Sequence, residues 1–62
     1  MVEVSQIIEV VRRASKCRSG MCEYPVPSIE QEAVDIAAKA GFMDVIGNGV
    51  AQVTSAGREY AA

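Results

Sequence analysis

The sequence predicts a small α+β domain in the order helix, short turn, helix, two-stranded antiparallel hairpin and short C-terminal helical turn. Three observations predict it. Apolar residues recur at helical spacing over residues 2–16 and again over 29–40. Asn48-Gly49 stands between Val45 and Val53, and that dipeptide is the strongest short-range hairpin signal, because a type I′ turn needs positive φ at both central residues. Thr54 is placed to cap a final helical turn. A chain of 62 residues forms one domain, 1–62.

A domain of this size buries only about 60% of its unfolded surface, so its stability is marginal. Half of the residues are apolar, yet there are one Phe, two Tyr and no Trp. Val, Ile and Ala must therefore carry the core, and they bury less area than aromatic rings. Self-association as a homodimer would bury more. The net charge is −2, so the basic surplus that nucleic-acid modules use to displace counterions is missing. Val2-Glu3-Val4-Ser5-Gln6 has neither the basic start nor the apolar core of a signal peptide. No apolar run approaches the roughly 18 residues that span a bilayer. The expectation is a soluble, cytoplasmic protein with no membrane partner.

The first helix runs over about residues 2–16. Val4, Ile7, Ile8, Val11 and Ala14 share one face, and Val10 widens it. Glu3 and Glu9 come early and Arg12, Arg13 and Lys16 late, an order that complements the helix dipole. Cys17–Pro27 is a connection, with Gly20 permitting a turn and Ser19–Glu23 offering a short helical turn. Pro25 and Pro27 hold Tyr24 and Val26 extended.

Ser28-Ile-Glu-Gln31 reads as a capping box that starts the second helix. Ile29, Ala33, Ile36, Ala37 and Ala40 line its apolar face. Gly41 falls at the left-handed C′ position, followed by Phe42 as the apolar C″ contact. In the hairpin, a two-residue loop sets Gly47 opposite Val50 and Val45 opposite Gln52. Asp44, Ile46, Ala51 and Val53 then share the other face, with Ile46, Ala51 and Val53 packed on the helices and Val45 and Val50 pointing outward. Two strands alone are marginal in water, so the hairpin must lean on the helices or on a partner.

Helix, helix, hairpin and the closing Thr54-Ser55-Ala56-Gly57-Arg58-Glu59-Tyr60 resemble the winged-helix domain. The resemblance covers residues 28–60. Ala40-Gly41-Phe42 resembles the end of that family's recognition helix, and Gly47-Asn48-Gly49 resembles the tip of its wing. The chain departs from the family at Cys17–Pro27, which is too short and too Pro-rich for the full helix that precedes the recognition helix. The resemblance implies a recognition helix in a major groove and a wing on phosphate. The matching helix here presents Glu30, Glu32 and Asp35, with Lys39 as its one basic residue, and the wing tip has no Lys or Arg. Those carboxylates oppose docking on a phosphate backbone.

Arg12, Arg13, Lys16 and Arg18 place four of the six basic residues within seven positions. They suit a solvated helix C-terminus first, with a patch for an acidic or phosphate partner as the alternative. Cys17 and Cys22 are spaced C-x4-C. Two free thiols are the default, a disulfide across this small loop is an alternative, and a zinc site would need four thiolates from two chains, since the sequence has no His and no further Cys. Lys16 and Arg18 beside Cys17 would favour its thiolate, which leaves a thiol-based response as a third, weaker function. Tyr24-Pro-Val-Pro27 reads as a rigid lead-in to the second helix rather than a polyproline ligand. Glu30 and Glu32 are two apart on a helix and do not face each other. Without His there is no Ser-His-Asp set, and no phosphate loop appears. The chain is expected to be neither an enzyme nor a binder of a cofactor or metal.

The leading expectation is a small regulatory protein-interaction module, of the kind found among phage-type regulators and inhibitors of a host complex. Its partner would be an unidentified protein, steered by Glu30, Glu32 and Asp35 and held by Val45 and Val50. The alternative is a winged-helix DNA-binding regulator, dimeric to gather two weak sites. It would use Gln31, Lys39, Asn48 and Arg58, with Arg12, Arg13, Lys16 and Arg18 as a phosphate clamp.

Overall fold

Six elements follow one another in the computed structural model, which describes residues 2–62. They are helix α1 (Val4–Lys16), strand β1 (Met21–Glu23), helix α2 (Ile29–Lys39), strands β2 (Met43–Gly47) and β3 (Val50–Val53), and helix α3 (Ser55–Ala61). The α+β class and the hairpin agree with the sequence reading. The order differs by one strand, because Met21–Glu23 is extended where a helical turn was expected at Ser19–Glu23. β3 lies at the centre of an antiparallel sheet of order β1-β3-β2. Pairing with β1 occupies the open edge of β3, and that long-range ladder overrides the weak local preference of Met21-Cys22-Glu23. The ladder continues past the strand, with Val53 N–H donating to Gly20 C=O at 2.8 Å and Tyr24 N–H to Gly49 C=O at 2.9 Å.

The sheet has one wet and one dry face, as antiparallel sheets commonly do. Cys22 and Val45 both pair with Ala51, and Met43 pairs with Val53, so these side chains share the inner face. Cys22, Met43, Ala51 and Val53 are buried there against the helices. Met21, Glu23, Asp44 and Gln52 are exposed on the other side. α1 packs against both other helices and against β1 and β3, and α2 lies over β2.

The hairpin register departs from expectation. Gly47 faces Val50 as predicted, but Val45 faces Ala51 and Asp44 faces Gln52. Ile46 is the extra residue of a bulge between Val45 and Gly47, which leaves its side chain 54% exposed instead of packed on the helices. Val45 and Val50 consequently lie on opposite faces of the sheet. In the turn itself only Gly49 has positive φ, at 85°. Asn48 does not, which excludes a type I′ turn.

The helices also settle differently from their strongest stripes. In α1, Val10 joins Val11 and Ala14 in the core, whereas Val4 is exposed. In α2 the buried set is Ala33, Val34 and Ala37, and Ile29, Ile36 and Ala40 turn outward. α2 must meet α1 and β2 at once. The small side chains of Ala33 and Ala37 allow that close approach, and it brings Val34 inward.

Ser28, Gly41 and Thr54 act as caps where the sequence placed them, but the Gln31 side chain does not return to Ser28, and the reciprocal capping box forms instead at Glu3 and Gln6. Gln31 N–H donates to Ser28 Oγ at 3.1 Å, and the Ser28 hydroxyl donates to Pro25 C=O at 2.6 Å. Gly41, at φ 87°, ends α2: Phe42 N–H reaches Ala37 C=O and Gly41 N–H reaches Ala38 C=O, the pairing of a Schellman motif. Gly57 N–H donates to Thr54 Oγ1 at 3.1 Å, and the Thr54 hydroxyl donates to Gly41 C=O at 2.7 Å. One side chain thus caps α3 and ties it to the end of α2. Phe42 and Tyr60 stack, with ring centroids 4.1 Å apart and planes 12° from parallel.

Candidate interaction surface on the second helix

The outward turn of α2 creates the surface. Ile29 and Ile36 are seven residues apart and stand 51% and 43% exposed. Seven residues is close to two helical turns, so both lie on one flank. Glu32, Asp35 and Lys39 are exposed beside them. The Ile29 end opens into a groove of about 250 Å³ between α1 and α2, lined by Gln6, Glu9, Val10, Arg13, Ile29, Glu30 and Ala33. Its floor is apolar, because Val10 and Ala33 are core residues.

Arg13 crosses the groove to Glu30, with Nη1 3.0 Å from Oε2. Glu30 Oε2 is shielded from water and takes no aligned hydrogen bond, so the guanidinium holds it as an ion pair off the donor axis. Glu30 is therefore separated in role from Glu32 and Asp35, which remain in solvent. Of the expected apolar contacts, Val45 is half exposed on the sheet's inner face, on the edge strand β2. Val50 is partly covered and lines a shallow depression of about 470 Å³ with Glu23, Tyr24, Pro25, Val26, Asn48 and Gly49. The structure does not bring Val45, Val50 and the α2 carboxylates into one patch.

The cations cluster more tightly than their numbering suggests. Arg12, Lys16 and Arg18 are exposed around the end of α1. Arg58 returns from α3 to the same place, its Nη1 donating to Ser15 C=O at 3.3 Å. The end of α1 thus gathers Arg12, Arg13, Lys16, Arg18 and Arg58, and Lys39 stands apart on α2. Gln31 is half buried, and Asn48 is exposed at the hairpin tip.

Cys17 and Cys22 are free thiols. Cys17 Sγ–H donates to Arg13 C=O at 3.4 Å. Burial pushes the Cys22 thiol pKa up; Arg13 pulls it back, and the neighbouring Cys17 and Glu30 add to the rise. Burial also raises Tyr24, helped by Asp35 and Cys22. Among the described residues, no group of three or more His, Cys, Asp or Glu side chains gathers to hold a metal ion, and no helix is long and apolar enough to cross a membrane.

Sequence reasoning missed Ile29 and Ile36 as surface residues because they form part of the strongest helical stripe. Val34 was the available signal. It lies off that stripe, and its burial turns the two isoleucines outward. The return of Arg58 to α1 had no local signal. Compared with protein-family models, with curated proteins and with solved structures, the chain finds no match.

Proposed function

We propose that this chain is a small, non-enzymatic, cytoplasmic protein-interaction module on a winged-helix-like frame, acting as a regulator or inhibitor of a larger complex. The helix-then-hairpin order and the capped α3 support the frame. The observation that carries the function is the open flank of α2. Two large apolar side chains, Ile29 and Ile36, are left in solvent beside Glu32 and Asp35. Isolated exposed apolar residues are ordinary, but here Ile29 lines an apolar-floored groove and Ile36 stands two turns along the same flank. Exposed carboxylates beside an apolar centre favour a partner with a matching basic rim. The test is capture by the immobilised chain, comparing wild type with Ile29→Ser/Ile36→Ser. Loss of a captured protein with an unchanged circular dichroism spectrum supports the reading. Equal capture by both overturns it.

One observation favours a second reading, DNA binding: Arg58 joins the α1 cluster, which concentrates positive charge at one pole. The carboxylates of α2 oppose it on the helix that would enter a groove. Fluorescence anisotropy with mixed-sequence duplex DNA decides the matter. Binding that falls steeply with salt supports this reading, and absence of binding at low salt removes it.

A further inference from the structure

We infer that the partner for the α2 flank is a second copy of this chain, docked about a twofold axis that sets the α1 cations of each copy against the α2 carboxylates of the other. The inference rests on the reading of this flank as a protein-binding surface and names its occupant.

Three observations lead to it. The first is charge complementarity between two adjoining regions. Arg12, Lys16 and Arg18 are exposed at the end of α1, and Glu32 and Asp35 are exposed on α2. The Arg13–Glu30 pair, at 3.0 Å, shows that the two regions adjoin. Adjoining patches of opposite sign are self-complementary under a twofold rotation: where cations of the first copy meet carboxylates of the second, the reverse contact follows by symmetry. The second is the apolar centre. Ile29 is 51% exposed and lines the same groove as Arg13 and Glu30, so it stands beside the junction of the two patches. Near a twofold axis it meets its own counterpart, and Ile36 extends the contact along the helix.

The third is the small size of the core. Among the described residues the buried apolar set is Val10, Val11, Ala14, Cys22, Tyr24, Ala33, Val34, Ala37, Met43, Ala51, Val53 and Ala61. Five of these twelve are alanines, so little apolar area is removed from water for 62 residues. Total accessible surface is 3961 Å². A standard interface takes about 800 Å² per partner, roughly one fifth of that surface.

Sedimentation equilibrium over a wide concentration range tests the inference. The chain mass is 6.6 kDa, and the expected result is a concentration-dependent doubling that weakens as salt rises, because exposed charge pairs are screened. Arg12→Glu/Lys16→Glu and Glu32→Lys/Asp35→Lys should each remain monomeric and folded by circular dichroism. Mixed one to one, they should restore the dimer, since each then offers the charge the other needs. Ile29→Ser should weaken association at least tenfold without unfolding, as its side chain is half in solvent. A wild-type chain that stays monomeric overturns the inference, and so does a dimer indifferent to all these changes. A monomer that still captures a different protein through Ile29 and Ile36 would overturn the second copy as partner while leaving the function proposed for the flank intact.

Discussion

Arg13 and Glu30 meet across the α1–α2 groove at 3.0 Å, with half-exposed side chains but with Glu30 Oε2 shielded from water. Such a pair contributes modestly, since most of its field lies in solvent. Removing either partner is not symmetrical. Arg13→Ala leaves a shielded carboxylate oxygen without a counter-charge, whereas Glu30→Ala frees a guanidinium that can return to water. A double-mutant cycle by urea unfolding should give a coupling of about 0.2–1 kcal/mol, with Arg13→Ala the more costly single change. The coupling should shrink with added salt.

Gly57→Ala should destabilise the protein, although Ala is ordinarily the better helix former by about 1 kcal/mol. Gly57 lies in α3, where an added Cβ would collide with the Phe42 carbonyl oxygen and crowd the Val53 side chain. The carbonyl accepts from Thr54 N–H at 3.0 Å, so it cannot move without breaking the junction. Overpacking of this kind costs about 1–3 kcal/mol. Thermal unfolding should show a drop of at least several degrees, since each kcal/mol shifts the midpoint of a domain this small by roughly 4–8 °C.

Thr54→Ala removes two bonds at once, the cap to Gly57 N–H and the donation to Gly41 C=O. A loss of about 1–2 kcal/mol is expected in chemical denaturation, at the upper end for a cap because a second element is released. Thr54→Ser keeps the hydroxyl and should recover most of it.

The two thiols should differ in reactivity. Cys22 is 7% exposed and Cys17 only partly covered. Titration with a thiol reagent should show one fast group, lost in Cys17→Ser, and one that reacts at the rate of opening. Cys22 also implies a pH dependence. Burial raises its folded pKa above the unfolded value. Below the unfolded value both states hold the proton and stability is full. As pH rises past about 8.5 the unfolded chain releases its proton first, so stability falls until the folded thiol titrates as well. Tyr24 is raised too and acts in the same direction at higher pH. Urea melts at about pH 7 and about pH 9.5 should show the decline, with a shallower slope in Cys22→Ala.

Local chemistry was legible residue by residue. Ser28, Gly41 and Thr54 act where the sequence placed them, because caps and the Schellman turn depend on neighbours within a few positions. The hairpin and its Gly47–Val50 pairing were readable for the same reason. The candidate surface was half legible: Glu32 and Asp35 are exposed as expected, but Ile29 and Ile36 were assigned to the core and Val45 and Val50 to one patch.

By itself the sequence determined the helices at both ends of the Pro-containing connection, the caps at Ser28, Gly41 and Thr54, the hairpin and the composition of a core poor in aromatic rings. Tertiary structure alone decided that Met21–Glu23 becomes a strand, that a bulge sends Ile46 outward, that α2 buries Val34 and exposes Ile29 and Ile36, and that Arg58 returns to the end of α1. Each of these depends on groups far apart in the chain. An open edge on β3 recruits whichever segment passes it. A helix with more than one apolar stripe buries the one that fits two neighbours at once, because burial is non-directional and close packing decides between stripes of similar hydrophobicity.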